Sequence, residues 1–218
     1  ERHFIEGIAG VSLEHLSFRY PDGTSDVISD LSFDFAPGSK TAIVGPTGIG
    51  KSTLIRLMLS LLTPTSGTVS LYSVSGKVPV SEATRCNLVY VPQGNTLFSG
   101  TIRENLQMGD PHASEARMAE ALHTAAADFV LELPCGLDTQ CFEAGGGLSE
   151  GQAQRIAIAR ALLRPGSILL LDEFSSALDN ATEDILLQRL TAKLNTRTMI
   201  FITHRDRIVD YCDSVLRL

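Results

Sequence analysis

The sequence predicts an α/β fold in which a mainly parallel sheet carries an antiparallel β layer and an inserted helical subdomain. Residues 11–20 and 31–35 alternate apolar and polar side chains, which is the period of half-buried strands. The run 168–171 is continuously apolar, as in a strand that a parallel sheet buries on both faces. Helical patterns dominate residues 94–165. Strand patterns alternate with helical patterns elsewhere, which is typical of a parallel α/β core.

The composition indicates a globular protein with one domain over residues 1–218. Of its 218 residues, 44% are hydrophobic and 20% are charged, which is enough for a full core. The net charge of -7 disfavours direct nucleic-acid binding, because a phosphate backbone is bound by a basic face. No apolar run approaches the ~20 residues of a bilayer span. Since the chain does not begin with Met, we expect a segment of a longer polypeptide.

The antiparallel β layer is predicted to end beside an aromatic residue. The strand pattern over residues 11–20 finishes at Tyr20, and the turn-rich residues 21–23 follow it. An aromatic face at this point could stack on a nucleotide base. A packing role is the alternative for such a residue.

A glycine-rich loop follows the apolar residues 42–44 and precedes a helical pattern over residues 52–62. It matches the phosphate-binding pattern G-x-x-x-x-G-K-[ST] in the strand–loop–helix context that this pattern requires. Its glycines allow backbone N–H groups to turn toward an anion, and the helix start adds its positive dipole end. We expect Lys51 to reach the β- and γ-phosphates and the Ser52 hydroxyl to bind Mg2+. The loop consists of Gly45, Pro46, Thr47, Gly48, Ile49, Gly50, Lys51, Ser52 and Thr53.

The rest of the chain supplies further strands and helices. Ser114 is a plausible N-cap because an acidic residue and an apolar helical stripe follow it. Residues 73–84 are predicted to form a surface connection. Strands are predicted over residues 68–72, 88–91, 168–171, 198–203 and 214–218, and helices over residues 153–163 and 181–194.

Polar residues follow two of the predicted strands directly. Asp172 and Glu173 come after the buried run 168–171, and His204 follows the strand over residues 198–203. Ligands in open α/β sheets bind beyond the carboxyl ends of the strands, so these residues are expected at the same edge as the phosphate loop. Asp172 would accept the waters of Mg2+, and Glu173 would orient and deprotonate a water. His204 would contact the γ-phosphate or hold that water. The alternative is that these polar residues only end their strands in solvent and have no chemical role.

Taken together, these residues resemble the nucleotide-binding domain of ABC transporters. The similarity rests on motifs in the order and approximate spacing of that family. Besides the phosphate loop, they are Val91-Pro92-Gln93 (similar to the Q-loop), Leu148-Ser149-Glu150-Gly151-Gln152 (similar to the L-S-G-G-Q signature), Ser176-Ala177-Leu178-Asp179 (similar to the D-loop) and Ile202-Thr203-His204-Arg205 (similar to the H-loop). The fold expected from this resemblance is a P-loop NTPase core over about 1–93 and 166–218, with a helical signature subdomain over about 94–165.

Three further segments resemble the exporter branch of the family. Residues 18–21 resemble the adenine-stacking A-loop, and residues 97–106 are similar to the segment that follows the Q-loop in exporters. Glu143 matches the acidic position of the X-loop. The resemblance implies transmembrane domains in the same full-length chain and a location at the cytoplasmic face of the inner membrane.

The mechanism that the resemblance implies is ATP hydrolysis between two such domains packed head-to-tail around two Mg-ATP. Ser149, Gly151 and Gln152 would face the partner's ATP, where the hydroxyl and N–H groups of the signature form an anion receptor that the γ-phosphate satisfies. Gln93 would contact Mg2+ or the water, so that Ser52, Gln93 and Asp172 form the metal set. The D-loop residue in this arrangement is Asp179.

One departure from the family pattern leaves alternatives open. Glu150 stands where the signature has its first glycine, and its carboxylate could weaken dimer closure or slow turnover by like-charge repulsion. A nucleotide-gated dimerisation module with little turnover is therefore one alternative to a transport ATPase. A non-transport ABC ATPase that works on DNA or ribosomes is the other, and the acidic balance disfavours it.

Overall fold

A computed structural model describes residues 2–142, 147–192 and 196–218. Two compact units emerge from its contacts. The core unit comprises Glu1–Val89, Gly166–Leu171 and Leu194–Leu218, and the helical unit comprises Tyr90–Pro165 and Asp172–Lys193. The predicted X-loop residue Glu143 and the predicted end of the last helix at residue 194 lie outside the described residues.

The antiparallel β layer of the core unit is a four-stranded sheet. Its strands are β1 (Gly10–Phe18), β2 (Ile28–Phe35), β4 (Ser66–Ser73) and β5 (Gly76–Pro79), in the order β2-β1-β4-β5. β1 pairs antiparallel with both neighbours and buries alternate residues such as Val11 and Leu13. The predicted alternation is therefore confirmed. The surface connection over residues 73–84 contains β5, which the sequence did not predict.

The second sheet has five strands in the order β11-β3-β10-β9-β6. β10 and β11 both run parallel to β3, and every residue of β10 is buried. The apolar side chains of β9 are fully buried, as the unbroken apolar run predicts. The strands are β3 (Lys40–Val44), β6 (Leu88–Val91), β9 (Ile168–Asp172), β10 (Thr198–Thr203) and β11 (Ser214–Arg217).

Helix α1 (Lys51–Met58) follows the glycine-rich loop and is shorter than the sequence predicts. The apolar pattern continues to Leu62, but the chain turns at Ser60, which has a φ of 53°. Arg85 explains the early end, because it donates to the carbonyls of Leu59 at 2.8 Å and Ser60 at 3.2 Å. These are carbonyls that a longer helix would have bonded internally.

The helical unit is built around α5 (Glu150–Leu163), which packs against α2 (Ile102–Gln107) and α3 (Glu115–Thr124). The remaining helices are α4 (Phe129–Glu132) and α6 (Asn180–Ala192). The predicted cap of α3 is confirmed, since Ser114 Oγ accepts from the Arg117 N–H at 3.3 Å. Two short strands, β7 (Gly100–Thr101) and β8 (Gln140–Cys141), pair antiparallel and were missed.

The boundaries of the two units differ from the predicted subdomain boundaries. Residues 90–93 and 172–193 group with the helical unit instead of the core. The second of these segments carries α6, which contacts α3. The division of tasks between two subdomains stays a prediction. Within the described ranges, no helix combines the length and the apolar character that a membrane crossing requires.

Candidate functional site

The glycine-rich loop connects β3 to α1 in a conformation that its glycines make possible. Gly48 and Gly50 have φ values of 86° and 120°, in the region that side chains disfavour. At Gly45, a Cβ would lie 2.9 Å from Ile49 Cγ2 and 3.1 Å from the Leu218 carbonyl oxygen. Residues with side chains would therefore strain the backbone at Gly48 and Gly50 and clash with neighbouring atoms at Gly45.

Lys51 lies in this loop with its ammonium group turned inward. Its residue is only 8% exposed, and Nζ donates to the Gly45 carbonyl and, at 3.2 Å, to the Pro46 carbonyl. No acidic residue occurs in the first turn of α1, and Gly50 contributes no side-chain cap. The loop thus gathers a buried positive charge and a helix start without a counter-charge on its own helix, which is a favourable site for an anion.

His204 and the glycine-rich loop leave neighbouring parallel strands at the same edge of the core unit. Thr203, the last residue of β10, pairs in register with Val44, the last residue of β3. The next residues are His204 and Gly45. The His204 side chain is exposed there. The structure therefore brings together two of the predicted site elements.

Tyr20 follows the end of β1 and contacts α1 through its hydroxyl. Its Oη lies 3.1 Å from Thr53 Oγ1, within hydrogen-bonding distance, and accepts from Arg56 Nη1 at 3.4 Å. Its ring meets the Phe18 ring edge to face, with the centroids 4.8 Å apart. The hydrogen bond with Thr53 and the nearby Arg56 guanidinium lower the pKa of Tyr20.

Asp172 and Glu173 belong to the helical unit and have different surroundings. Asp172 ends β9, and its Oδ2 accepts from the Tyr90 hydroxyl of β6 at 2.9 Å. Glu173 has a φ of 45°, which is uncommon for a residue with a side chain and costs backbone energy. This left-handed residue interrupts the extended chain directly after Asp172. Gln93, two residues after β6, is exposed.

The residues that resemble the signature form the start of α5. Ser149 is its N-cap, with Oγ accepting from the Gln152 N–H at 3.1 Å, while Gln152 Oε1 accepts from the Ser149 N–H at 3.0 Å. This is a reciprocal capping box. These two N–H groups are therefore already bonded within the helix start, so the predicted anion receptor for the γ-phosphate does not include them in this structure. Glu150 is exposed in the first turn, and Leu148 precedes the cap.

Gly151 and the D-loop residues lie against each other within the helical unit. A Cβ at Gly151 would lie 2.8 Å from the Ala177 carbonyl oxygen, so this position leaves no room for a side chain. Asp179 caps α6, because its carboxylate accepts from Thr182 Oγ1 at 2.6 Å and from the Thr182 N–H at 3.3 Å. These hydrogen bonds lower the pKa of Asp179. The signature and the D-loop are therefore in close contact at Gly151 and Ala177.

Residues 28–176 match the protein family described as ABC transporter, which is more than half of the chain. The chain belongs to the ABC transporter family. It carries the nucleotide-binding domain of that family, with the P-loop NTPase fold that the sequence predicts.

Two curated relatives are fused ATP-binding/permease proteins. The mycobactin import ATP-binding/permease protein IrtB of Mycolicibacterium smegmatis is 41% identical over 209 residues, which are 95% of this chain and 36% of the relative. A putative multidrug export ATP-binding/permease protein of Staphylococcus aureus is 36% identical over 207 residues, or 94% of this chain and 36% of the relative. The ABC chain thus spans little more than a third of the length of these relatives.

A solved structure of a bacterial Atm1-family ABC exporter with ATP bound is similar over the whole chain. It matches 100% of this chain and 38% of its own, with a TM-score of 0.89 and 37% sequence identity. At this identity and score, the ABC fold is shared.

Two polar residues of α5 contact backbone carbonyls at or beside predicted site residues, and the sequence predicts no task for either of them. Gln154 is 3% exposed and donates from Nε2 to the carbonyl of Pro92, the residue before Gln93, at 3.4 Å. Arg155 donates to the carbonyls of Gly151 at 3.1 Å and Ala126 at 2.6 Å, and burial lowers its pKa. Their signal in the sequence is the presence of long polar side chains inside an otherwise buried helical pattern.

Proposed function

We propose that this ABC domain is the ATP-hydrolysing motor of an exporter, which closes head-to-tail with a second ABC domain around two Mg-ATP. The observation that carries the proposal is the glycine-lined loop with its inward-turned Lys51. Nζ donates there to the carbonyl oxygens of Gly45 and Pro46 in its own loop, and an incoming phosphate could take the place of these oxygens. That exchange would convert a self-contained loop into a triphosphate site.

The residues of the loop fit Mg-ATP. Gly45 has no room for a Cβ, and the exposed Ser52 offers a hydroxyl at the first turn of α1. Ser52, Gln93 and Asp172 would hold Mg2+, directly or through water, and Tyr90 would fix the orientation of the Asp172 carboxylate. When bound, Mg2+ supplies neutralising charge to the phosphate oxygens.

Hydrolysis would need a residue that deprotonates the attacking water. Glu173 takes this task in our proposal, because it directly follows Asp172 at the end of β9 and has a left-handed backbone, with a φ of 45°. His204 would hold the water or the γ-phosphate, and Lys51 would neutralise charge on the phosphates. Gln93 would join the site through Mg2+ or the water.

The second ABC domain would supply the signature residues Ser149, Gly151 and Gln152 to each ATP. The capping box uses the N–H groups of Ser149 and Gln152, so the intervening N–H groups and the Ser149 hydroxyl hydrogen remain for the γ-phosphate. Asp179 fixes the neighbouring start of α6.

Transmembrane domains are the proposed second partner. The ATP-binding/permease relatives and the Atm1-family neighbour support a longer polypeptide in which membrane helices accompany this domain. The domain would then act at the cytoplasmic face of the inner membrane. One relative is named for import and another for export, so the direction of transport rests on the exporter-like segments of this sequence.

Substitution of the proposed base tests this function. We expect Glu173→Gln to retain ATP binding, to lose hydrolysis by roughly 10²-fold or more, and to accumulate an ATP-bound dimer. Steady-state phosphate release and size-exclusion chromatography measure these effects, and Glu132→Gln, an exposed position on α4, is the matched control. Unchanged turnover in Glu173→Gln would remove Glu173 from the role of base.

A nucleotide-gated dimerisation module with low turnover is the second candidate, and the exposed Glu150 in the first turn of α5 favours it. The specific ATPase activity of the purified chain separates the two candidates when it is measured against protein concentration. A motor becomes more active per chain as dimers form. A dimerisation module shows ATP-dependent dimers with little phosphate release at every concentration.

A further inference from the structure

We propose that Arg56 and Thr53 of α1 position the ring of Tyr20, so that the helix that begins at the phosphate loop also orients the platform for the nucleotide base. The inference rests on the proposed ATP-binding function and adds Arg56, which belongs to none of the family motifs, as a positioning residue. It starts from the two contacts of the Tyr20 hydroxyl, to Thr53 Oγ1 at 3.1 Å and to Arg56 Nη1 at 3.4 Å.

The backbone next to Tyr20 is fixed by other contacts. The Arg19 N–H donates to Thr65 Oγ1 at 3.0 Å, and the Gly23 N–H donates to the Tyr20 carbonyl at 2.9 Å. The Arg19 side chain pairs with Asp26 at 2.8 Å. These bonds hold the main chain but leave the side-chain torsions of Tyr20 free. The orientation of the ring therefore depends on what its own atoms touch.

The ring touches Phe18 and α1. The contact with Phe18 is edge to face, with an interplanar angle of 86°, so it covers at most one face of the Tyr20 ring and leaves the other face for a base. An edge-to-face contact alone permits sliding and tilting. The hydroxyl contacts remove this freedom, because they tie the far end of the ring to two residues on one face of the helix, three positions apart.

Both residues that contact the Tyr20 hydroxyl lie in the first two turns of α1, close to Lys51. Thr53 is buried, with 6% exposure, and Arg56 is exposed beside it. Base and phosphates would consequently be held by groups on the same rigid element. A phenylalanine in place of Tyr20 would keep the stacking face and lose the anchor, so the hydroxyl has a task that stacking does not explain.

The test compares two probes, Mg-ATP and Mg-tripolyphosphate, which lacks a base. We expect Tyr20→Phe and Arg56→Met each to weaken ATP binding roughly two- to tenfold, the range of a net hydrogen bond, and to leave tripolyphosphate binding within about twofold. Arg56→Lys should recover part of the loss, and the double variant should be no weaker than Tyr20→Phe. Lys77→Met, an exposed cation of β5, is the control for loss of charge.

Tyrosine emission reports the stacking directly, because the sequence contains four tyrosines and no tryptophan. ATP should change this emission in the wild type and in Tyr72→Phe, whose hydroxyl bonds to Asp34 away from the loop, and the change should be smaller in Arg56→Met at saturating ATP.

The outcomes distinguish the inference from the function on which it rests. ATP binding of wild-type strength in both Tyr20→Phe and Arg56→Met overturns the positioning role when Tyr20→Ala still weakens it. Equal losses for ATP and tripolyphosphate also overturn it, since they indicate a defect in the phosphate loop. If Tyr20→Ala binds ATP as the wild type does, Tyr20 is a packing residue and the base platform itself is wrong.

Discussion

The two helices that carry the phosphate loop and the signature begin in opposite ways. α1 starts after Gly50, which provides no side-chain cap, and its first turn contains no acid. α5 starts with a capping box between Ser149 and Gln152, and Glu150 lies in its first turn. Both are helix starts in an ABC domain, but α1 leaves its positive end available while α5 caps and partly neutralises its own.

This difference indicates different tasks for the two helix starts. The dipole end of α1 is reinforced by Lys51, so the loop can attract a polyanion without help from a second domain. The start of α5 offers the Ser149 hydroxyl, the negative charge of Glu150 and, at Gly151, a backbone without a side chain. It is therefore suited to recognise a phosphate that is already held elsewhere. We expect nucleotide to bind the phosphate loop first and the signature of the second domain to join afterwards.

The largest expected effect comes from removing the charge at the start of α1. Lys51→Met should lower ATP turnover by roughly 10²- to 10³-fold, because the loop loses the group that neutralises the developing charge on the phosphates. Phosphate release at saturating ATP measures the effect, with Lys77→Met as a control of equal charge change. A loss of less than tenfold would contradict the view that α1 supplies most of the attraction.

The start of α1 was predictable because the requirement for it is local. Glycines at fixed spacing, followed by Lys and Ser, specify a left-handed backbone and an anion site within nine residues. The end of the same helix was not predictable, since it depends on Arg85 reaching back to Leu59 and Ser60. The strands β7 and β8 are two residues each, which is too short for a periodic pattern.

The site shows the same division between local and distant signals. The register of β3 and β10, which places His204 and Gly45 at the same edge of the sheet, follows from the parallel sheet that the strand and helix patterns predict. The hydroxyl contacts of Tyr20 join residues 33 and 36 positions apart in the chain, and no spacing rule reveals them. The resemblance predicts that Ser149 binds the partner's γ-phosphate, and the pattern Ser-x-x-Gln also predicts the capping box that the structure contains.

An intermediate effect is expected from removing the cap of α5. Ser149→Ala should lower the free energy of unfolding by about 0.5–2 kcal/mol and also reduce ATP turnover, roughly tenfold, because the hydroxyl serves both the helix and the partner's γ-phosphate. Ser114→Ala is the matched control, since Ser114 caps α3 in the same way without any proposed contact to ATP. Thermal unfolding and phosphate release are measured on both variants. If both lose stability and neither loses turnover, Ser149 is a helix cap only.

The smallest effect should come from the charge that makes α5 unlike α1. Glu150→Gln removes one negative charge at nearly constant size, so two measurements should move in opposite directions. Folding stability should fall slightly, because an acid near a helix start is favourable by about 0.3–1 kcal/mol. ATP turnover and ATP-dependent dimerisation should rise roughly two- to fivefold, since the partner's γ-phosphate no longer meets a carboxylate.

Higher salt should shrink both changes, because the interaction is between groups at an exposed surface. A fall in turnover together with stability would mean that Glu150 supports the signature, and the contrast between the two helix starts would then not be electrostatic.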